Sequence, residues 1–213
     1  MPDVVVVGAG GFGRETLDVI EAWNASARGE PLRVAGVADD APSELSLARL
    51  AARGVAHLGP VAEVLAMEPA DHYLIGIGAG TAKEQIAAQF DGAGWSAASV
   101  VHPAASIGSV SRLGPGAIVC GGVQVSTNVE LGRHVHLNPN ATVGHDAVLA
   151  DFVSVNPGAI VSGEVRIGVR TLIGAGAVVL QGLAIGADAT VGASACVTRD
   201  VADGLVVMGV PAR

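Results

Sequence analysis

The hydrophobic pattern changes character near residue 100. Before it, apolar runs alternate between strand-like and helix-like stretches. After it, an aliphatic residue returns at every sixth position: Val101, Ile107, Leu113, Val119, Val125, Leu131, Leu137, Val143, Leu149, Val155, Val161, Ile167, Ile173, Val179, Ile185, Val191 and Val197. The register never slips. A second series two residues earlier, from Ala105 to Ala195, is small or Val/Thr at every position except Leu183. A period of six fits neither a helix nor an alternating strand. It predicts a parallel β-helix whose 18-residue coils have three short strands and three corners, with one inward aliphatic side chain per strand. Val125, Val143 and Val161 should then stack in a column. Each buried aliphatic contributes roughly 1.5–3 kcal/mol, so the ladder has ample drive. Glycine often follows the aliphatic position, as at Gly108, Gly114, Gly144 and Gly168. Glycine and asparagine there are expected to relieve the backbone at the corners.

The first hundred residues read as a small α/β unit. A buried strand over 4–7 runs into Gly8-Ala9-Gly10-Gly11-Phe12-Gly13 and then a helix over 14–24. This is a Gly-x-Gly-x-x-Gly turn in the context that suits a phosphate, after a strand and opening a helix. A second strand over 33–38 ends in Asp39-Asp40, where acidic groups contact a ribose hydroxyl in nucleotide-binding folds. Helices are expected over 45–53 and 81–90, the latter capped by Thr81. Strands are expected over 73–77, followed by Gly78-Ala79-Gly80, and over 99–101, leading into the coils. The alternation predicts a parallel sheet. The unit has the length of half a Rossmann fold, so NAD is not expected. A nucleotide-linked ligand held by Gly10, Gly11, Asp39 and Gly78 fits better.

Composition narrows the class. Aromatic residues make up 3% of the chain, which suits a narrow prism with no room for rings. The formal net charge is −8 with no basic run, so neither nucleic acid nor an anionic membrane is an expected partner. No apolar run reaches the length of a membrane span, and no signal-type segment precedes the first strand. Cys120 and Cys196 lie far apart without metal-type spacing. A cytoplasmic, reduced protein is the expectation.

The chemistry concentrates on His145-Asp146, which follow Gly144. A corner position puts His145 outside the prism. Imidazole suits proton removal from an attacking amine or hydroxyl at neutral pH. A neighbouring carboxylate orients the ring and stabilises its charged form. One coil on lies Gly163, whose amide could donate to a thioester oxyanion. His102, His134 and His136 are the other histidines of the coils, and the latter two are expected at solvated corners or an interface.

The repeat as it stands, Leu/Ile/Val-Gly-x-x-Ser/Thr/Ala/Val-x, resembles that of the hexapeptide-repeat acyltransferases, which implies a left-handed parallel β-helix. A glycine-loop α/β domain over 1–100 followed at once by coils over 101–213 resembles the sugar O- and N-acetyltransferases of the sialic acid and bacillosamine type. The resemblance implies a Rossmann-like domain that binds the acceptor, a nucleotide-linked sugar, and a β-helix that takes acetyl-CoA as cosubstrate without a metal. It makes His145 the base with Asp146 beside it, supports Gly163 as the oxyanion donor, and puts Asn138 on the acceptor side. Acyl-CoA contacts fall on Ser154, Ala175 and Ala193, with Arg213 of the Gly209-Val210-Pro211-Ala212-Arg213 tail near phosphate. It also implies a homotrimer with each site between subunits. Relatives often carry His where this chain has Phe12 and Ser154, two departures that bear on the acceptor and acyl pockets. The γ-class carbonic anhydrases share the repeat, but their pair of histidines five residues apart is missing here. A small amino-acid or antibiotic-type acceptor, and a non-enzymatic nucleotide-sensing β-helix, stay open at this point.

Overall fold

A computed structural model describes all 213 residues. Four consecutive valines form the centre of β1 (Asp3–Val7), which is buried on both faces as a central parallel strand must be. It is followed by α1 (Gly11–Ser26), β2 (Arg33–Ala38), α2 (Glu44–Ala51), β3 (His57–Gly59), α3 (Val61–Met67), β4 (His72–Ile75), α4 (Gly80–Gly92) and β5 (Ser96–Ala97). The five strands are parallel in the order β3-β2-β1-β4-β5. The chain reverses its direction of winding between β1 and β4, the place where open α/β sheets bind ligands. β3 and α3 were not anticipated; both are short and β3 is only half-buried. α4 begins at Gly80 behind Ala79 with no side-chain cap, so Thr81 does not cap it. Residues 99–101 do not make a single strand: β5 ends the α/β sheet at Ala97, and Val100–Val101 is already the first rung of the prism.

From there the chain winds a parallel β-helix with three faces. Face I holds Val100–Val101, Ile118–Val119, His136–Leu137, Ser154–Val155, Leu172–Ile173, Thr190–Val191 and Val206–Val207. Face II holds Ser106–Ile107, Gln124–Val125, Thr142–Val143, Ile160–Val161, Val178–Val179 and Cys196–Val197. Face III holds Arg112–Leu113, Glu130–Leu131, Val148–Leu149, Arg166–Ile167 and Ala184–Ile185. The inward series is buried along the middle of the prism, and Val125, Val143 and Val161 are register partners in one column.

The glycines after the inward residues have a different cause from the expected one. None of Gly108, Gly114, Gly144 or Gly168 has a left-handed backbone. They are needed because the next coil passes too close: a Cβ on Gly144 would lie 2.4 Å from the Gly163 nitrogen, and one on Gly168 2.4 Å from the Ala187 nitrogen. The left-handed turn falls two residues later, at Asn128, Asn140 and Asp146 among others (φ 57°, 60° and 60°). Asn and Asp tolerate that region better than most side chains.

The α/β domain sits on face I. Outward side chains of that face, Ile118, His136 and Ser154, are buried, whereas their counterparts Gln124 and Ile160 on face II and Glu130 and Arg166 on face III are exposed. One apolar cluster runs from Val4, Leu17 and Ile20 through Ile118 into the prism, so the two parts share a core. Ion pairs staple the margin, with Arg133 on Asp91 and Arg170 on Glu84. Partly exposed pairs of this kind add little stability each. No helix is long and apolar enough to cross a membrane.

The inter-coil approach yields a direct test. Gly168→Ala puts a methyl against backbone that cannot move without breaking the ladder. It should lower stability by about 1–3 kcal/mol in denaturant unfolding; wild-type stability would contradict the close-approach reading.

Candidate active site

Three corner columns run along the prism, and His145 stands on the one between faces II and III. Its side chain is 47% exposed, and Nδ1 lies 2.7 Å from Asp146 Oδ2. Asp146 is held in turn by Asn128 one coil below, whose Nδ2 donates to Asp146 Oδ1 at 2.6 Å. These bonds, Asn128 first and His145 second, keep the Asp146 carboxyl below the usual carboxylate range. The carboxylate is an acceptor for Nδ1–H, which leaves Nε2 as the nitrogen free to take a proton. On the other side lies Gly163. A Cβ there would sit 2.6 Å from His145 Nε2, so only glycine leaves the ring its place. The Gly163 N–H has no acceptor within the chain, while its carbonyl accepts from Gly182 N at 3.0 Å. An imidazole with a free Nε2 beside an unpaired amide can remove a proton and stabilise an oxyanion in one small space.

The second group of residues gathers at the carboxyl ends of β1, β2 and β4. Gly10, Gly11 and Gly78 face open space. The amino end of α1 has no side-chain cap and no acidic residue in its first turn, so its N–H groups remain available to an anion. Asp39 is partly spent: its carboxylate accepts from Ala9 N at 2.7 Å and Ala41 N at 3.0 Å, fastening the glycine loop. Asp40 accepts from Val61 N at the start of α3 through Oδ1 and is exposed, with Oδ2 unengaged. Beside them a cavity of about 210 Å³ is lined by Val7, Gly8, Asp39, Asp40, Ala41, Val61, Ile77 and Ile86. A larger cavity, about 590 Å³ among Met1, Pro2, Asp3 and Trp95, opens at the opposite, amino ends of the strands, away from every residue discussed so far.

Comparison with known proteins bears on both halves. Residues 3–90 match the PglD N-terminal domain family. The whole chain is similar to PerB from Caulobacter crescentus, solved with CoA and GDP-perosamine, at 29% identity and a TM-score of 0.86, covering 100% of this chain and 97% of that one. That enzyme is a perosamine N-acetyltransferase, and variants with a histidine replaced by asparagine or alanine are known with the same ligands. The chain is also similar to the acetyltransferase domain of PglB from Neisseria gonorrhoeae FA1090, solved with acetyl coenzyme A (26% identity, TM-score 0.82, 100% and 98% covered). WeeI from Acinetobacter baumannii AYE is similar over 99% of this chain and 98% of its own (26% identity, TM-score 0.83). No curated protein sequence matches. The chain is a hexapeptide-repeat sugar acetyltransferase. Its coils have the left hand of that fold.

In this acetyltransferase the expected site residues fall on different sides of the prism. Asn138, Ala175 and Ala193 share the corner column between faces I and II. Ala175 and Ala193 are exposed, while Asn138 is turned inward, its Nδ2 donating to Val155 O at 3.1 Å. Arg213 is exposed at the end of a tail that folds back on the last coil, with Ala212 N bonded to Cys196 O. His145 and Gly163 stand on the edge opposite the face that the α/β domain covers. One chain therefore does not bring the imidazole together with the glycine loop.

Three placements differ from expectation. Ser154, assigned by resemblance to acyl-CoA, is 1% exposed beneath the α/β domain and bonds to Gly78 O and Lys83 Nζ. His134 and His136 are not solvated: both are wholly buried at the same junction. His134 stacks between Tyr73 and Phe152, and Phe12 packs on His136 with ring centroids 4.8 Å apart. Lys83 is also fully buried there and was not singled out; its place in the helix over 81–90 gave no sign of what the helix packs against.

Burial pulls the His134 imidazole down to about 4, and His136 well below its ordinary value. In the unfolded chain both take up a proton near pH 6.5. The folded state is therefore favoured above about pH 6.5 and loses ground as pH falls toward 4. Urea unfolding should show lower stability at about pH 5.5 than at about pH 7.5, a window in which few carboxylates titrate; equal stabilities would contradict the burial of these two rings.

Proposed function

We propose that the protein transfers the acetyl group of acetyl-CoA to the amino group of a nucleotide-diphosphate-linked amino sugar, at a site shared between neighbouring subunits of a homotrimer. The observation that carries this reading is the His145–Asp146 pair over Gly163, on the prism edge opposite the face that bears the α/β domain. The pyrophosphate lies against the open glycines Gly10 and Gly11 and the amino end of α1, with the nucleoside beside Asp40, Asp39 and Gly78. The sugar amine of one subunit's ligand reaches the His145 of another. The choice of an amine follows the perosamine N-acetyltransferase similarity.

His145 Nε2 removes a proton from the attacking nitrogen as it bonds to the thioester carbonyl carbon. Asp146 holds the ring by Nδ1 and stabilises the imidazolium. The Gly163 N–H donates to the oxyanion, and collapse releases the CoA thiolate, which takes the proton back from the imidazolium. No covalent enzyme intermediate is needed. Cys120 is unsuited to one, since burial pushes its thiol up to about 12. The acyl-CoA chain runs along the corner carrying Ala175 and Ala193, where side chains of one carbon leave room for a pantetheine arm. Arg213 and Arg199, which line a cavity of about 290 Å³ at the tail, meet its phosphates. Asn138 supports the same corner from within. The proposed compartment is the cytoplasm, where acetyl-CoA and activated sugars are made.

His145→Ala should cut turnover by about two to four orders of magnitude while acetyl-CoA binding persists; near-normal turnover with GDP-perosamine or a UDP-linked amino sugar as acceptor would remove the mechanism. Gly163→Ala should also cost at least about tenfold in kcat, because the methyl displaces the ring by which the base is aimed. An unchanged kcat in that variant would separate Gly163 from the chemistry.

A further inference from the structure

Two segments beside the cavity proposed for the nucleotide, the first turn of α1 and the loop after β4, rest on adjacent rungs of face I. His136 and Ser154 are register partners, one coil apart. Phe12, in the first turn of α1, packs on His136. Gly78, in the loop after β4, accepts a hydrogen bond from Ser154 Oγ at 2.8 Å. The end of β1 and the first turn of α1 also touch the loop after β4. Gly76 N donates to Val7 O at 2.7 Å, and a Cβ on Gly76 would lie 2.5 Å from Gly13 Cα. Neither segment shifts without the other.

Lys83 completes this seat. Its Nζ lies 2.9 Å from Ser154 Oγ, 3.0 Å from His134 O and 3.1 Å from Val153 O. Three acceptors match the three protons of an ammonium. Burial pulls the group down to about 7, but a neutral amine would leave one acceptor unserved, so the arrangement is that of the charged form. With Nζ donating to Ser154 Oγ, the single hydroxyl proton of Ser154 is left for the Gly78 carbonyl. The direction of the chain is fixed: Lys83 to Ser154 to Gly78.

We propose that Lys83 and Ser154 are positioning residues for the acceptor, holding the Gly78 loop at a set height on the β-helix and thereby setting where the nucleotide-linked sugar leaves the α/β domain. The proposal rests on the acceptor site described under the proposed function. Neither residue touches the reacting atoms; both act through Gly78. The loop they hold carries Ile77, which lines the 210 Å³ cavity. The corner with Ala175 and Ala193 takes no part in the chain, so acetyl-CoA binding should be indifferent to it.

The test compares Ser154→Ala and Lys83→Met with the wild type, as full-length assembled protein, with GDP-perosamine and a UDP-linked 4-amino sugar as acceptors. Ser154→Ala should raise the acceptor KM about tenfold and lower kcat, while the acetyl-CoA KM stays within about twofold. Lys83→Met should move the same constant in the same direction, by at least as much. Equal rises in both KM values, or a lower melting temperature with an unchanged acceptor KM, would reduce the pair to structural support and overturn the proposal. Saturation of the wild type combined with an unchanged acceptor KM in Ser154→Ala defeats the positioning role alone. A wild type that saturates with no nucleotide sugar defeats the acceptor site and this inference together.

Discussion

The pairing of each coil with the next is the constraint on which everything else depends. As far as Cys196–Val197, rungs exchange backbone hydrogen bonds with the rung 18 residues away, as Gly144 N does with Val161 O and Ser126 N with Val143 O, both at or below 2.9 Å; the closing rung Val206–Val207 pairs with Thr190–Val191 across a shorter coil. Buried amides and carbonyls need partners, so a residue inserted within a rung would orphan its bonds. Residues 18 apart in sequence therefore become neighbours in space, whatever their side chains. Asn128 reaches Asp146 in this way, Asn138 reaches Asn156, and Ser109 reaches Thr127. The same constraint brings Gly163 under His145. The arrangement proposed for catalysis is a consequence of coil geometry, with the side chains suited to it.

That is why the β-helix, and the meeting of His145, Asp146 and Gly163 at one corner, were legible in the sequence. The inward aliphatic is a local property, repeated at a fixed step, and a fixed step converts directly into a column. His145, Asp146 and Gly163 follow from position alone. The glycines were legible as a pattern but not in their cause. Whether a glycine serves a left-handed turn or a close approach depends on where the neighbouring backbone passes, and Gly144 serves the second while Asp146 carries the first.

The burial of His134, His136, Ser154 and Lys83 was not legible, because it depends on which face of the prism the α/β domain covers. A trace of it was present. The outward positions of face I in its first five rungs, Val100, Ile118, His136, Ser154 and Leu172, include no Asp, Glu, Lys or Arg, which separates it from face III with Arg112, Glu130 and Arg166, but not from face II, whose Ser106, Gln124, Thr142, Ile160, Val178 and Cys196 carry no charge either. The outward series taken face by face excludes face III as the junction but leaves faces I and II open. The departures at Phe12 and Ser154 then have one explanation: an aromatic ring and a small hydroxyl at these positions join the buried seat, instead of presenting polar groups to a ligand.

The two halves of the proposed site differ in how they are made stiff. The proposed base stands at a corner next to the rung Thr142–Val143, which is paired above and below, and its carboxylate partner is fixed by a neighbour 18 residues away. The acceptor loops have no ladder of their own. They gain rigidity by resting on rungs of face I through Phe12 on one side and Gly78 on the other. A buried ammonium is a costly way to fasten a loop, since an apolar side chain would avoid desolvation altogether. Its advantage is direction. Three acceptors around Lys83 specify one orientation of one hydroxyl, and that hydroxyl specifies one position of one carbonyl, which apolar packing does not do. Direct attack on a thioester tolerates little error in the placement of the nucleophile. In a site assembled from different subunits, an acceptor domain free to slide on its own prism would carry that error to the distant imidazole, and fixing the domain on face I is the step that makes a shared site workable.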